Sequence, residues 1–318
     1  MILAIALACS SPEAETPATP PPTTSSTTPS VPTTTPTPTS VTDTATTPPT
    51  PTPTTTTTGS DTAKEPQWVL VSAYTSGEVL ALDPDDGSLQ QRWGGVPGAQ
   101  ALRVGPDGAL WAVAEEVGQV LRFDGDGFVP VVEEGLSAPT GLGFAPDGDL
   151  LVADFATDQV LRFSPDGAPD GVVLNLVDGP DAGLLLDDQG LLWVPCFDGD
   201  VLLTSPLEEG GRDVYEELDS PRALLLVDDE VWFTSWRGDA VRRGPREGPS
   251  EVFASVPRPS GLARVGDELW VATDQEPLIR RLDATTGAEV GVVDLSATGA
   301  VGLTYLATAP VATLQAVR

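Results

Sequence analysis

The chain has no histidine, only two cysteines (Cys9 and Cys196) and a single lysine, Lys64, among its 318 residues. Without histidine, the commonest general base, the Ser-His-Asp and Cys-His nucleophile systems and the imidazole ligands of zinc and copper are all missing. Two cysteines in such different sequence contexts predict no disulfide framework. These absences exclude mechanisms that use histidine as a general base, as the partner of a nucleophile or as a metal ligand.

Positive charge is also scarce. The sequence has 16 basic and 47 acidic residues, a formal net charge of −31, and nearly all of the acidic residues follow position 63. A surface of this sign repels phosphate backbones and anionic lipid headgroups, so no nucleic-acid binding is expected. The charge serves solubility or selects a cationic partner, and the composition leaves both interpretations open.

The N-terminus indicates export. Residues 1–8 form a short apolar run that ends in Ala6, Leu7 and Ala8 and is followed by Cys9. This run is too short to span a bilayer and is predicted to be a signal peptide. It resembles a bacterial lipoprotein signal, which implies lipidation of Cys9 and anchoring at the outer membrane or cell surface. The same residues fit an ordinary cleavage site, which would leave the protein secreted or periplasmic.

Residues 9–63 consist almost entirely of threonine, proline and serine. A segment without apolar periodicity buries too little surface to offset its ordering entropy, so it is predicted to be a disordered linker. Its prolines favour an extended conformation of about 3.1 Å per residue, which gives a reach on the order of 150 Å.

From residue 64 to 318 the sequence is a repeat of short apolar strands separated by Asp-Gly turns. The second strand of each unit is marked by an apolar residue that recurs at intervals of 38 to 42 residues: Leu70, Trp111, Leu151, Trp193, Trp232 and Trp270. A period near 40 with about four strands per unit is typical of propeller blades. The sequence therefore predicts an all-β, six-bladed β-propeller whose recurring tryptophans pack between blades.

The two ends of the repeat are complementary. The first unit begins at its second strand, WVLVSAY, whereas VGLTYLA at residues 301–307 matches an inner strand with no complete blade after it. The C-terminal strand is therefore predicted to complete the first blade and remove the exposed sheet edges.

The segment PTGLGFAPDGDLLVADFATDQVLRFSPDG, residues 139–167, resembles an NHL repeat. The same layout occurs in the senescence-marker-protein/gluconolactonase family and in streptogramin lyases, and the resemblance covers about residues 66–307. It implies the propeller architecture. Streptogramin lyases rely on histidines, which this chain lacks.

Lactonases of this superfamily hold a divalent metal with Glu, Asn and Asp side chains, and the Asn and Asp precede the inner-strand glycine. Aligned on that glycine, the corresponding column has neither residue type: Gln100, Thr140, Ala182, Arg222, Ser260 and Val301. Asp181 lies one position away, and Asp181 and Asp154 remain the metal candidates. A hard cation needs several convergent oxygens, so no cofactor is predicted.

One face of the propeller is predicted to bind a ligand, because loops after the second strand and before the first strand surround the channel mouth. The residues placed there are Tyr74, Glu115, Asp154, Phe155, Phe197, Arg222, Trp236 and Asp274. The alternative is that the aromatic members pack between blades. Cys196, in a column of small residues, is interpreted as a packed thiol because no base is present to activate it.

Three aspartate-rich turns, at residues 83–86, 124–126 and 198–200, present carboxylates close together. They are candidates for calcium, and aspartate and glycine are also the residues that tight hairpins require. The sequence leaves both interpretations open.

Two functions follow from these patterns. The first is a monomeric, non-enzymatic binding module at the cell surface, whose partner is a protein, a glycan or a small molecule. The alternative is a metal-dependent hydrolase or lactonase with a divergent site built from Asp154, Asp181, Glu115 and Asp274.

Overall fold

The computed structural model describes residues 67–175, 177–207 and 212–315. In this part of the chain 24 strands form six antiparallel sheets of four strands each. The prediction of an all-β, six-bladed β-propeller is confirmed. The signal peptide, Cys9 and the linker lie outside the described residues.

Blade 1 is ordered β24-β1-β2-β3 from the channel outward, and blades 2 to 6 each use four consecutive strands. The bounds in blades 1 to 3 are β1 Gln67–Ala73, β2 Glu78–Leu82, β3 Leu89–Gly94, β4 Ala99–Val104, β5 Leu110–Ala114, β6 Gln119–Phe123, β7 Phe128–Val132, β8 Pro139–Phe144, β9 Leu150–Asp154, β10 Gln159–Phe163 and β11 Pro169–Asn175. Those in blades 4 to 6 are β12 Leu185–Leu186, β13 Leu191–Cys196, β14 Val201–Pro206, β15 Arg212–Tyr215, β16 Pro221–Val227, β17 Glu230–Ser235, β18 Ala240–Pro245, β19 Glu251–Ser255, β20 Pro259–Val265, β21 Glu268–Thr273, β22 Leu278–Asp283 and β23 Glu289–Asp294.

The ring is closed by the last strand, β24, at Leu303–Pro310. It pairs antiparallel with β1, from Gln67 opposite Pro310 to Ala73 opposite Leu303. The predicted closure by the C-terminal strand is confirmed, although the strand starts and ends a little later than residues 301–307. A short helix, α1 at Val311–Gln315, follows it. Among the described residues no helix is long and apolar enough to cross a membrane.

The recurring tryptophans pack between blades, as predicted. The four indoles at the marker positions are at most 4% exposed. Each donates its N–H to a carboxylate that lies either in the hairpin before its strand or in the strand itself. The one polar atom of each buried indole therefore has a hydrogen-bond partner. The pairs are Trp111–Asp107, Trp193–Asp187, Trp232–Glu230 and Trp270–Glu268.

Arginines complete this arrangement and account for part of the acidic composition. Arg281 lies 5.2 Å from the Trp270 ring centroid and makes two bonds to Glu268, at 2.6 and 2.8 Å. Arg122 bonds Asp107 in blade 2 in the same way. Each such acid therefore accepts from an indole and an arginine together.

Glycines in the inner strands allow neighbouring blades to approach closely around the channel. A Cβ at Gly141 would lie 2.7 Å from the Asp181 carbonyl oxygen of the next blade, and one at Gly261 would lie 2.7 Å from the Leu306 nitrogen. Carbon atoms do not approach backbone atoms this closely without displacing them. Close contact with the neighbouring blade therefore restricts these positions to glycine.

Arg103 connects the inner strands of four blades. It extends from β4 and donates to the carbonyl oxygens of Leu142 in blade 3, at 3.2 Å, and Leu184 in blade 4, at 2.9 Å. Its guanidinium also lies 5.1 Å from the ring centroid of Tyr305 in blade 1. Burial raises the pKa of the Tyr305 hydroxyl. Arg103 thus links the inner parts of these blades across the central channel.

Aspartates fasten the loops between blades. Asp158, Asp200 and Asp239 have left-handed backbones, with φ of 55°, 54° and 49°. Each carboxylate accepts the amide of a residue just before the next inner strand, and the donors are Gly179, Ser220 and Arg258. Aspartate suits this place because it tolerates the left-handed region and accepts amides at short range.

The aspartate-rich turns use their carboxylates in the same local way. Asp83 accepts the amide of Asp85, and Asp124 accepts the amides of Asp126 and Gly127. Within the described ranges no group of three or more acidic, cysteine or histidine side chains is arranged to hold a metal ion. The geometry therefore matches the hairpin interpretation of these turns.

Candidate functional site

The upper face is the one formed by the loops that follow the second strand and precede the inner strand of each blade. On it, the residue directly after each second strand occupies what we call a ring position: Tyr74, Glu115, Phe155, Phe197, Trp236 and Asp274. Each donates its amide to a carbonyl just before the inner strand of its own blade, and the acceptors are Gly302, Gly98, Ala138, Gly179, Ser220 and Arg258. The sixfold repetition of this bond shows which residues are structurally equivalent.

The same register corrects the column that faces the channel. The residue two positions after each acceptor faces the channel, and we call these residues the channel positions. They are Gln100, Thr140, Asp181, Arg222, Ser260 and Thr304. Asp181 and Thr304 thus replace Ala182 and Val301 of the sequence alignment. Their equivalence is visible in the bonds of Thr304 to the Ala99 carbonyl and Ser260 to the Leu303 carbonyl, both 2.6 Å.

At Asp181 the error arose because blade 4 has one extra residue between its proline and its glycine. At Thr304 it arose because the glycine of that strand, Gly302, is the acceptor itself and lies two residues before the channel position. Alignment on glycine shifts the column, whereas alignment on the preceding proline, as in Pro139-Thr140 and Pro180-Asp181, places Asp181 correctly. The proline before the channel residue is thus the sequence feature that identifies Asp181 as a channel position.

Three ring positions form a continuous aromatic arc over blades 3 to 5. Ring centroids are 6.2 Å apart for Phe155 and Phe197, and 5.4 Å apart for Phe197 and Trp236. All three side chains are half-buried. The arc therefore combines contact between blades with exposed aromatic surface, and the two interpretations of these residues are compatible.

Arginines cover this arc. The guanidinium carbons of Arg222 and Arg237 lie 5.9 and 5.2 Å from the Phe197 centroid, and that of Arg258 lies 3.0 Å from the Trp236 centroid. Such contacts are favourable because the aromatic face carries negative charge density. In a protein of net charge −31, three arginines are thus concentrated on one part of the upper face.

A polar arc lies on the other side of the mouth. Gln100 donates from Nε2 to the Glu115 carboxylate at 2.5 Å, and the Tyr74 hydroxyl bonds the same carboxylate. Asp181, which is 3% exposed, accepts from Arg222 Nε at 2.9 Å. Arg222 therefore connects the polar arc to the aromatic arc through Phe197.

Burial raises the pKa of Glu115, and the negative charge of Asp181 raises it further. The hydrogen bond from Gln100, the charge of Arg222 and the hydrogen bond from Tyr74 lower it in part. Burial and the nearby charge of Glu115 raise the pKa of Tyr74 in turn. A carboxyl whose folded pKa is raised adds stability below the ordinary pKa of glutamate, and this contribution is lost as the pH rises through the folded pKa.

We therefore expect Glu115→Gln to raise the melting temperature at pH 7, since it removes a partly desolvated charge and keeps an acceptor for Gln100. Partial exposure screens the effect, so the rise should be on the order of 2 °C. Thermal unfolding at pH 7 and near pH 3.5 should show the difference only at the higher pH. Glu116→Gln, at the exposed neighbouring side chain, is the control; equal curves for wild type and Glu115→Gln at pH 7 would contradict the expectation.

Asp154, a predicted site residue, and Cys196, which was interpreted as a packed thiol, are both engaged inside the fold. Asp154 is fully buried, and its two oxygens accept the amides of Ser137, at 2.6 Å, and Ala138, at 3.1 Å. Its side chain fastens the loop before β8 and does not face the mouth as an open ligand. Cys196 is 1% exposed and its thiol lies against the Val194 carbonyl, which is the position of a packed thiol.

The oxygen donors around the mouth do not fit a metal centre. The Asp181 oxygens accept from Arg222 and from the Ala182 amide. The Glu115 carboxylate is held by Gln100 and Tyr74, and Asp154 by two backbone amides. Since these three carboxylates already have protein donors and only Asp274 Oδ1 is without one among the described residues, the set lacks the several convergent free oxygens that a hard cation requires.

A separate cavity of about 640 Å³ lies on the lower face, where blade 6 meets blade 1. Trp68, Arg264, Glu268 and Arg281 are among its lining residues. The Arg281–Glu268 pair that lines it already serves the Trp270 packing described above.

Three buried polar atoms with no hydrogen-bond partner in the described residues lie around the mouth of the upper face: Gln100 Oε1, Arg258 Nε and Asp274 Oδ1. Others, such as Arg246 Nε and Arg280 Nε, lie elsewhere in the propeller, but none in the described part of the chain belongs to a residue that lines the lower cavity. The upper face is therefore the better candidate site.

Comparison with solved structures finds propellers of low sequence similarity. A crystal structure of a nidogen/laminin complex matches with a TM-score of 0.67 and 14% identity, over 76% of this chain and 98% of that chain. A Bacteroides caccae protein of unknown function matches with a TM-score of 0.59 and 12% identity, over 77% and 99%. Virginiamycin B lyase from Staphylococcus aureus matches with a TM-score of 0.55 and 16% identity, over 78% and 93%.

At these identities the likenesses establish the fold alone. No protein-family model and no curated protein sequence matches the chain. A shared fold does not by itself specify a function.

Proposed function

We propose that this protein is an exported ligand-binding module, anchored at the cell surface through Cys9, that captures its ligand on the upper face without chemical conversion. The observation that carries the proposal is the continuous set of side chains around the mouth. Arg222 contacts Asp181 on one side and Phe197 on the other, and Phe197 continues through Trp236 to Asp274. Aromatic residues and arginines of this kind are enriched where proteins bind partners.

The export signal and the long threonine/proline linker support a surface location, since such a linker holds a domain clear of a membrane. The resemblance of residues 139–167 to an NHL repeat is consistent with this proposal, because propellers of this layout serve many unrelated functions through their loops. The nidogen neighbour illustrates one such use, as its structure was solved in a complex with laminin.

The hydrolase alternative has less support. Streptogramin lyases share the fold, but the chain has no histidine. Of the four carboxylates proposed for a divergent metal site, Asp154, Asp181 and Glu115 are held by protein donors, and only Asp274 keeps an oxygen without a partner among the described residues. Glu115 has a raised pKa, which suits a general acid, but Asp181, the carboxylate whose charge acts on it, is itself paired with Arg222.

We expect Arg237→Ala to weaken ligand capture by about tenfold, since Arg237 covers Phe197 and its side chain is 49% exposed. The full chain would be screened against arrays of peptides, glycans and small organic ions, and the retained class compared between variants by calorimetry. Arg243→Ala is the matched control, because Arg243 stacks on Trp232 and Phe253 away from the mouth.

Retention that falls with Arg237→Ala and not with Arg243→Ala would support the proposal. A wild-type chain that retains no member of any class, or equal retention by both variants, would contradict it.

A further inference from the structure

Arg258 has an unfavourable backbone conformation at a place where other blades use small residues. Its equivalents, identified by the sixfold amide bond of the ring positions, are Gly98, Ala138, Gly179, Ser220 and Gly302. Arg258 has φ of +46°, in the left-handed region that glycine adopts without strain. A bulky side chain persists there only where its surroundings hold it, and such positions cluster at binding sites.

The contacts of Arg258 leave part of its hydrogen-bonding capacity unused. Its amide donates to Asp239 and its guanidinium lies over the Trp236 ring. Its Nε atom is buried and has no hydrogen-bond partner in the described part of the chain. Arg222 and Arg237, in contrast, pair with Asp181 and Asp198.

Asp274 is the complement of Arg258 on the edge of the same indole. One of its oxygens, Oδ2, accepts the Trp236 N–H at 2.6 Å. The other, Oδ1, is buried and has no partner among the described residues. Trp236 thus has an unfilled donor over its face and an unfilled acceptor at its edge.

A third unfilled group lies at the channel mouth. Gln100 is 5% exposed, and its Oε1 has no donor within the described residues although its Nε2 is bonded to Glu115. An unmet buried polar atom costs free energy in the unliganded protein, so a ligand that supplies the partner gains from it.

The mixture of unmet donor and acceptors restricts the chemistry of the ligand. A hydroxyl group donates and accepts at once, so adjacent hydroxyls satisfy Arg258 and Asp274 together. An anion would be repelled by Asp274 and Asp181, and a cation would be repelled by the three arginines. A neutral ligand avoids both repulsions. Arg258 and Asp274 are half-buried, so small rotations of their side chains bring these groups to a ligand.

We propose that the Trp236 site, formed by Arg258, Trp236 and Asp274, binds a neutral polyhydroxylated ligand, that is, a saccharide. This inference rests on the proposed binding function and names the ligand class for the same face. The saccharide lies along the exposed edge of Trp236, with adjacent hydroxyls donating to Asp274 and accepting from Arg258. No metal ion takes part.

The experiment uses Arg258→Gly, because glycine is native at the equivalent place in three blades and adopts the left-handed region readily. The full chain would be titrated against neutral oligosaccharides, sialylated oligosaccharides, spermidine and free amino acids. We expect binding of neutral oligosaccharides, a loss of affinity of at least about tenfold in Arg258→Gly, and an equal or higher melting temperature in that variant.

Asp274→Asn is the second variant, since its amide oxygen still accepts the Trp236 N–H while the free acceptor becomes a donor. It should lose affinity for the same oligosaccharides, and Arg243→Ala should not.

Undiminished affinity in both Arg258→Gly and Asp274→Asn would overturn the inference, as would binding of only sialylated, polyamine or amino-acid probes. If Arg237→Ala weakens binding of one of those classes, the binding function stands and the saccharide assignment falls. If the wild type binds none of these probes, the saccharide assignment falls, and the peptide, glycan and organic-ion arrays described above decide the binding function separately.

Discussion

Gly141→Ala is expected to destabilise the propeller by about 1–3 kcal/mol, which lowers the melting temperature by roughly 3–10 °C for a domain of this size. The added Cβ would lie 2.7 Å from the Asp181 carbonyl oxygen and 2.8 Å from Leu184 Cβ in the next blade. Backbone at this distance does not yield like the end of a flexible side chain, so the inner strands of blades 3 and 4 must separate. Thermal or urea unfolding measures the change.

Gly143→Ala is a matched control in the same strand. Its Cβ would meet nothing closer than 3.9 Å, an ordinary van der Waals contact. Since alanine restricts the unfolded chain more than glycine does, we expect this variant to be unchanged or more stable by up to about 1 kcal/mol. Equal losses in both variants would show that the inner strands are sensitive to any substitution and that blade contact is not the cause.

Cys9→Ala is expected to move most of the protein from the membrane fraction into the soluble fraction or the medium. The prediction follows from the proposal that Cys9 carries the lipid, since the apolar run before it is too short to span a bilayer. Fractionation of expressing bacteria followed by immunoblotting measures the distribution, and mass spectrometry of the N-terminal peptide detects the lipid.

Ser10→Ala, at the adjacent residue, keeps the thiol and should leave the protein with the membranes. If the wild type already partitions with soluble protein, the chain is released by ordinary cleavage and the anchor proposal is wrong. The propeller and its upper face would be unaffected by that result.

The amino-acid sequence determined the architecture because every blade of a propeller repeats the same short pattern of strands and turns. The marker residues recur at intervals near 40, and the unmatched strands at the two ends require each other. The ring positions could also be predicted, since the second strands of all blades run in the same direction and the residues that follow them therefore lie on the same face of the propeller. Tyr74, Glu115, Phe155, Phe197, Trp236 and Asp274 all lie on the upper face.

Other features depended on packing between residues distant in the chain. The burial of Asp154 and its bonds to Ser137 and Ala138 follow from a loop folding back onto β9, which local sequence does not specify. The extra residue in blade 4 shifted Asp181 into the channel column, where Arg222 of the next blade could pair with it.

The sequence by itself therefore determined the six blades, their closure and the composition of the upper face, because these depend on periodicity and on the alternation of strands. Only the tertiary structure decided which polar groups on that face are already satisfied and which are not. The Asp154 carboxylate is engaged by the loop before β8 and the Asp181 carboxylate by Arg222 of the next blade, whereas Arg258 and Asp274 retain polar atoms without partners beside Trp236. Whether a buried polar atom has a hydrogen-bond partner depends on which residues contact it in the folded protein, and a repeat pattern in the sequence does not specify those contacts.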